Sequence, residues 1–384
     1  MKKHDVVIIG AGPAGLMAAK ELAAKGIDFI VIDSKKEIGI PLKCGEGMRK
    51  DGFLELFRST KHNFIRNSAK HLVVKNKNIE RSVPVTYLML DRSRFERWLA
   101  KPVKRYIRLN TALKDIRKED DHLVIETSKS RIAAGLVILA HGCDYRIQKK
   151  FRLVKKNPIC IPCYGGIFKG HDLDTKNLYF FFDEKNKAIA WVFPKDKQTA
   201  NVGIGIYPFA RKKDIKSLLK KVLSDYGVKM KQVSSFGGVF PSSGPIKKTY
   251  ADRLLVCGNA AGHVYAGTGE GIYFALKAGQ LAGKTAVKAV KNNDFSESSL
   301  KLYEDSWKSS FGSQLDASLV FAKLLHLGFT KDLLDNMFRI PTDKELINLF
   351  MLGKVPWRAR LLAWLAESPL RRLVCHILGK IGNK

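Results

Sequence analysis

The feature that most constrains this chain is a glycine turn set between two short apolar runs. Val6-Val7-Ile8-Ile9 is continuously apolar, as expected of a parallel strand covered on both faces. Gly10-Ala11-Gly12-Pro13-Ala14-Gly15 follows, then an Ala-rich helical stretch from Leu16 to Lys25 that Gly26 stops. Phe29-Ile30-Val31-Ile32 supplies the second strand, which ends at Asp33. In that context the glycines have separate roles. Gly10 permits the tight turn, Gly12 lets the backbone approach a pyrophosphate, and Gly15 lets helix and strand pack closely. Pro13 and Ala14 stand in the same turn as cofactor contacts, and the N-terminus of the helix that follows points at the phosphates. Asp33 can accept hydrogen bonds from ribose hydroxyls. The expectation is an α/β chain with a Rossmann-type dinucleotide site on a parallel sheet.

The first motif does not choose between dinucleotides; a later segment does. Leu254 to Cys257 reads as another buried strand, Gly258-Asn259-Ala260-Ala261-Gly262 as a turn, and Thr268-Gly269-Glu270-Gly271-Ile272 as the opening of a helix reaching about Ala289. This resembles the second flavin motif of the glutathione-reductase-like proteins and implies FAD. The residue at Asn259 is usually Asp there, bonded to the ribityl chain; Asn keeps an acceptor and adds donors. A helix beginning near Gly269, with Gly271 and Ile272 in its first turn, would aim its positive end at the flavin N1–C2=O edge. Leu90-Asp91-Arg92-Ser93-Arg94-Phe95-Glu96 resembles the DR-x-x-F segment of flavoprotein reductases and hydroxylases, which implies Arg92 near FAD. An Asp N-cap before an amphipathic helix explains the same residues. The strand Leu136 to Ala140 runs into His141-Gly142, where many flavin hydroxylases carry Asp-Gly.

Two further motifs narrow the resemblance. Pro41-Leu42-Lys43-Cys44-Gly45-Glu46-Gly47 has the form PxxCxEG, and Trp191-Val192-Phe193-Pro194-Lys195 leads to Gly203-Ile204-Gly205 in the form WxFPKx7GxG. With the flavin motifs, these closely resemble the geranylgeranyl reductase family over residues 1–290. The resemblance implies a flavin-dependent reductase of isoprenoid double bonds, Cys44 and Gly45 in a loop near the flavin, and a substrate pocket at Trp191, Phe193, Pro194, Gly203 and Gly205. The family usually has Tyr two residues before the Trp; here it is Ile189. An isolated alkene needs a hydride from reduced flavin and a proton on its other carbon, from Cys44, the flavin or an ordered water. Alternation through Tyr179 to Phe182, Ala188 to Phe193 and Asn201 to Ile206 predicts an antiparallel sheet with Phe, Trp and Ile on one face, suited to a polyprenyl chain.

The sequence thus predicts a discontinuous FAD domain (1–50, 85–150 and 250–290), an antiparallel-sheet substrate domain (51–84 and 151–249) and a helical region over 291–384, α+β overall. Residues 350–384 mix Trp357, Trp364 and leucines with basic residues and read as an interfacial helix or as a cap on the body. A formal net charge of +32 favours an anionic partner, and Arg146, Lys149, Lys150, Arg152, Lys155 and Lys156 form an exposed-looking basic run. That run could meet anionic head groups of a membrane or an acidic donor such as a ferredoxin, and equally be a solvated loop; NAD(P)H is the alternative donor. No zinc-finger, RNP or KH signature supports nucleic acid. Six cysteines form no disulfide framework, which fits a reducing cytoplasm with peripheral contact at its membrane face. Cys160 and Cys163 share a CxxC spacing that reads as a redox dithiol or as two buried thiols; no second pair or nearby His completes a metal site. Two alternatives remain at this level. One is an FAD-dependent monooxygenase or halogenase of the same fold, the other an electron-transfer flavoprotein without prenyl chemistry.

Overall fold

The computed structural model describes residues 1–76, 79–207, 214–328, 339, 341–348 and 354–355. The interfacial-helix reading of 350–384 falls almost wholly outside them. A parallel sheet is ordered Leu254–Val256, Arg131–Leu139, Lys2–Ile9, Phe29–Ile32, Ile107–Arg108, with Tyr250–Ala251 antiparallel at one edge. Its apolar runs are buried because both faces are covered. Val6, Ile8 and Val31 join one core with the helices Pro13–Ala23 and Ile272–Lys291. Val7, Ile9, Ile30 and Ile32 face a second core with the hairpin strands Leu113–Lys118 and Leu123–Thr127.

The two helices meet through small residues. A Cβ on Gly279 would lie 2.0 Å from the Ala14 carbonyl oxygen, and one on Gly283 would lie 2.8 Å from that of Ala18. Only a glycine lets the long helix approach this closely. That contact fixes the first turn of the nucleotide-motif helix against the second motif.

The other sheet runs Cys160–Lys169, Thr199–Ile206, Ala188–Pro194, Asn177–Asp183, Ile65–Lys75, Glu80–Leu90, Gly47–Arg49. All neighbours are antiparallel except Asn177–Asp183 with Ile65–Lys75, which are parallel. The strand Glu80–Leu90 crosses residue 85 without a break and Gly47–Arg49 pairs with it, so this sheet reaches residue 90 and begins at 47. Alternation sorts its side chains. Tyr179, Phe181, Ala188, Ala190 and Val192 pack under the helix Ile215–Asp225. Leu178, Phe180, Trp191 and Phe193 turn to the opposite face, toward the first sheet.

Candidate active site

One cavity of about 630 Å³ lies between the two sheets. Gly10, Gly12, Pro13, Ala14, Asp33, Gly258 and Asn259 line it from the first sheet and its turns. Cys44, Gly45, Arg92, Gly269, Gly271, Ile272, Trp191 and Phe193 line it as well. Four sequence-predicted residues stand elsewhere. Gly15 packs beneath the turn, where an added Cβ would meet the Gly10 carbonyl oxygen at 1.9 Å. Gly203 lies under the Trp191 indole, 2.2 Å from Cζ2 to a Cβ placed there. Pro194 ends its strand outside the cavity lining, and Gly205 lines a small adjoining apolar cavity of about 40 Å³ together with Ile189 and Trp191.

The nucleotide end is built by backbone. Gly10 adopts φ 108°, and a Cβ there would sit 2.4 Å from the Ala140 carbonyl oxygen, so the turn excludes every other residue. The chain then enters the helix Pro13–Ala23 with Gly12 as an N-cap that offers no side chain to its amides. An added Cβ on Gly12 meets nothing within 4 Å, which leaves room for a ligand group at the helix N-terminus. The Asp33 carboxylate is fixed by the Ala11 amide (2.7 Å) and the Lys35 amide (2.8 Å). His141 lines the same cavity with both ring nitrogens buried and without a protein hydrogen-bond partner. Burial lowers its pKa, so a neutral imidazole faces the space. These features fit a dinucleotide with anionic and hydroxyl groups to satisfy.

The motifs far apart in sequence converge on one carboxylate, that of Glu46. It is 1% exposed and sits at φ 66°, a left-handed conformation that costs a residue with a side chain about 1–3 kcal/mol. Its Oε2 accepts from Lys195 Nζ (2.7 Å) and Asn201 Nδ2 (3.0 Å), and its Oε1 from the Arg92 amide (3.0 Å). Asn201 Nδ2 also donates to the Cys44 carbonyl (2.8 Å), while its Oδ1 accepts from Trp191 Nε1 (3.0 Å). The Cys44 sulfur in turn accepts the Glu46 amide (3.2 Å). One buried charge therefore ties PxxCxEG, the DR segment and WxFPK into a single unit. Arg92 is held by Glu96 (2.8 Å); burial opposes its charge, but Cys44 and Glu96 raise its pKa further than burial lowers it. Asp91 does cap the helix Arg92–Ala100, accepting the Arg94 amide, so the capping reading and the site reading of this segment both hold in space.

Several lining residues had no place in the sequence-based site: Glu46, His141, Tyr87 and Glu270. For Glu46 and Glu270 the signal was present, since each stands inside a quoted glycine motif. Tyr87 carries none, because its role comes from strand pairing. Both cysteines of the CxxC pair are free and half-buried; Cys163 lines the cavity, whereas the Cys160 thiol interacts with that of Cys143. Among the described residues no group of acids, histidines and cysteines could hold a metal, and no helix is long and apolar enough to cross a membrane.

Residues 7–162 match the family described as pyridine nucleotide-disulphide oxidoreductase, and residues 160–239 match the geranylgeranyl reductase catalytic domain. Digeranylgeranylglycerophospholipid reductase 2 of Methanopyrus kandleri is 31% identical over 84% of this chain and 87% of its own length. The chain belongs to the digeranylgeranylglycerophospholipid reductase family. The fold agrees: a geranylgeranyl bacteriochlorophyll reductase-like protein of Thermoplasma acidophilum superposes with a TM-score of 0.80 at 22% identity, covering 98% of this chain and all of that one. A halogenase solved in complex with FAD shares the fold at a TM-score of 0.66 and 13% identity, covering 99% of this chain and 96% of that one. Trp191 and Phe193 of the WxFPK strand and Cys44, Gly45, Glu46 and Gly47 of the PxxCxEG loop line one cavity.

Proposed function

We propose that this protein is an FAD-dependent reductase that saturates the C=C bonds of geranylgeranyl chains on a membrane phospholipid. The observation that carries the reading is the continuity of the cavity, from the glycine cradle and Asp33 to an apolar wall of Leu72, Val83, Val85, Leu178, Phe180, Trp191 and Phe193. FAD, when bound, supplies the hydride that no side chain can deliver. Gly10, Gly12, Pro13, Ala14 and Asp33 hold its nucleotide part, and Arg92, Gly45, Asn259, Gly269, Gly271 and Ile272 stand along the rest.

The second sheet's residues receive the prenyl chain. Burying it is worth about 0.8 kcal/mol per CH₂, and the same wall keeps water away from the double bond. Cys44 shapes the wall where the chain meets the flavin, its position set by the Glu46 network. Ile189, smaller than the family's usual Tyr, leaves the small side cavity apolar and open beside Trp191. Electrons reach the flavin from an acidic carrier of the ferredoxin kind or from NAD(P)H. Peripheral contact with an anionic membrane at the cytoplasmic face presents the lipid; the net charge of +32 supports that placement.

The test is anaerobic. The purified protein is reduced with dithionite and mixed with geranylgeranylated phospholipid, and both flavin reoxidation and lipid mass are followed. Saturation matching flavin oxidised supports the reading. Unchanged lipid, with flavin that stays reduced until oxygen is admitted, overturns it in favour of a monooxygenase.

A further inference from the structure

Saturating an alkene needs a proton as well as a hydride, and the cavity lining holds several groups that could carry one, among them Cys44, whose sulfur accepts the Glu46 amide. Cys163 lines the same cavity, but burial pushes its thiol up to about 12. Tyr265 is likewise pushed far up by burial and by the charge of Glu270. Glu270 differs from both. It stands between Gly269 and Gly271, at the turn that opens the helix Ile272–Lys291, and lines the cavity with a side chain 9% exposed. Its position is set from the opposite sheet. Arg49 and Tyr87 are directly paired across the strands Gly47–Arg49 and Glu80–Leu90, and both reach it. The Tyr87 hydroxyl donates to Oε2 (2.9 Å) and Arg49 Nε faces Oε1 at 3.5 Å. Tyr87 is also the last of the alternating residues Val83, Val85 and Tyr87 that line the cavity from their strand. The carboxyl thus stands where the apolar wall meets the flavin-side turn.

We propose that Glu270, positioned by Tyr87 and Arg49, is the general acid that protonates the alkene carbon opposite the one receiving the hydride. The inference rests on the reductase reading. The two electrons arrive with the hydride from reduced FAD, one new C–H bond forms at each alkene carbon, and the Glu270 carboxylate left behind takes a proton from solvent after product leaves. The surroundings favour a carboxyl that can hold a proton. Burial raises its pKa, against the downward pull of Arg49 and of the Tyr87 hydrogen bond, while Asp51 raises it a little further. A general acid must sit within hydrogen-bond reach of the reacting atom, and the Glu270 side chain lines the cavity that the reductase reading gives to the alkene.

The experiment is single-turnover lipid saturation by the pre-reduced full-length protein across pH, beside difference infrared titration of its carboxyl groups. Glu270→Gln should retain the bound-flavin spectrum yet lose about 100-fold or more in saturation rate. Wild type should slow as pH rises through the Glu270 pKa. Tyr87→Phe removes a bond that favours the carboxylate, so it should move that limb, and the infrared carboxyl signal assigned through Glu270→Gln, to higher pH. A Glu270 that delivers no catalytic proton would show the infrared shift without a matching shift of the rate profile. If wild type saturates lipid while Glu270→Gln keeps its rate within about threefold and Tyr87→Phe leaves the profile in place, the acid assignment is overturned and the reductase reading stands. If wild type saturates nothing, the reductase reading itself has failed. Should Glu270→Gln lose its flavin, the Tyr87→Phe rate profile decides: moving with the infrared shift it supports the acid assignment, and staying in place it overturns it.

Discussion

Replacing Lys195 with Met isolates the ion pair that joins PxxCxEG to WxFPK. Lys195 is 12% exposed and its ammonium lies 2.7 Å from the Glu46 carboxylate, itself 1% exposed. Removing one partner of a buried ion pair costs about 3–5 kcal/mol, because the other charge stays buried without compensation. Here two donors remain on Glu46, Asn201 Nδ2 and the Arg92 amide, each at 3.0 Å. The loss should therefore fall near the lower end, about 3 kcal/mol. Glu46 also holds a left-handed backbone that the same network stabilises, so the Cys44 loop should loosen along with it. The assay is a double-mutant cycle of Lys195→Met and Glu46→Gln, read by denaturant unfolding and by flavin affinity. The two changes should couple by about 2 kcal/mol, the double variant being less damaged than the sum of the singles. Single losses below about 0.5 kcal/mol that simply add would refute the argument that this pair organises the site.

Three other outcomes follow from close contacts and thiol environments. Gly279→Val places a branched side chain against the Ala14 carbonyl and should cost at least about 3 kcal/mol, with flavin occupancy of the purified protein falling in parallel. Gly203→Ala pushes the Trp191 indole off its seat; flavin content should hold while lipid saturation falls by up to about 100-fold and tryptophan emission shifts. The Cys143 hydrogen bond lowers the Cys160 thiol to about 7, so its alkylation rate should rise with pH through that value. Cys143→Ala should move that midpoint up toward an ordinary thiol, and mass spectrometry should find Cys163, held at about 12 by burial, unlabelled throughout.

The apolar runs, the glycine turns and the period-two stripe through Ala188 to Phe193 are local patterns, and they were enough to locate the parallel sheet, the glycine turn beside the cavity and the aromatic face that lines it. Gly10, Gly12, Pro13, Ala14 and Asp33 line the cavity because a turn of that kind dictates its own geometry. The helix of the second motif was expected near Gly269 but starts at Ile272, since Gly269 at φ 77° cannot belong to a helix. What tertiary structure alone decided are the pairings between distant segments: Glu46 with Lys195 and Asn201, Gly279 against Ala14, Cys160 with Cys143 rather than Cys163, and Tyr87 with Glu270. Residue type at one position says that a carboxylate or thiol is available. Its partner, burial and proton affinity follow from strand register and sheet order, which bring together side chains that no spacing along the chain relates.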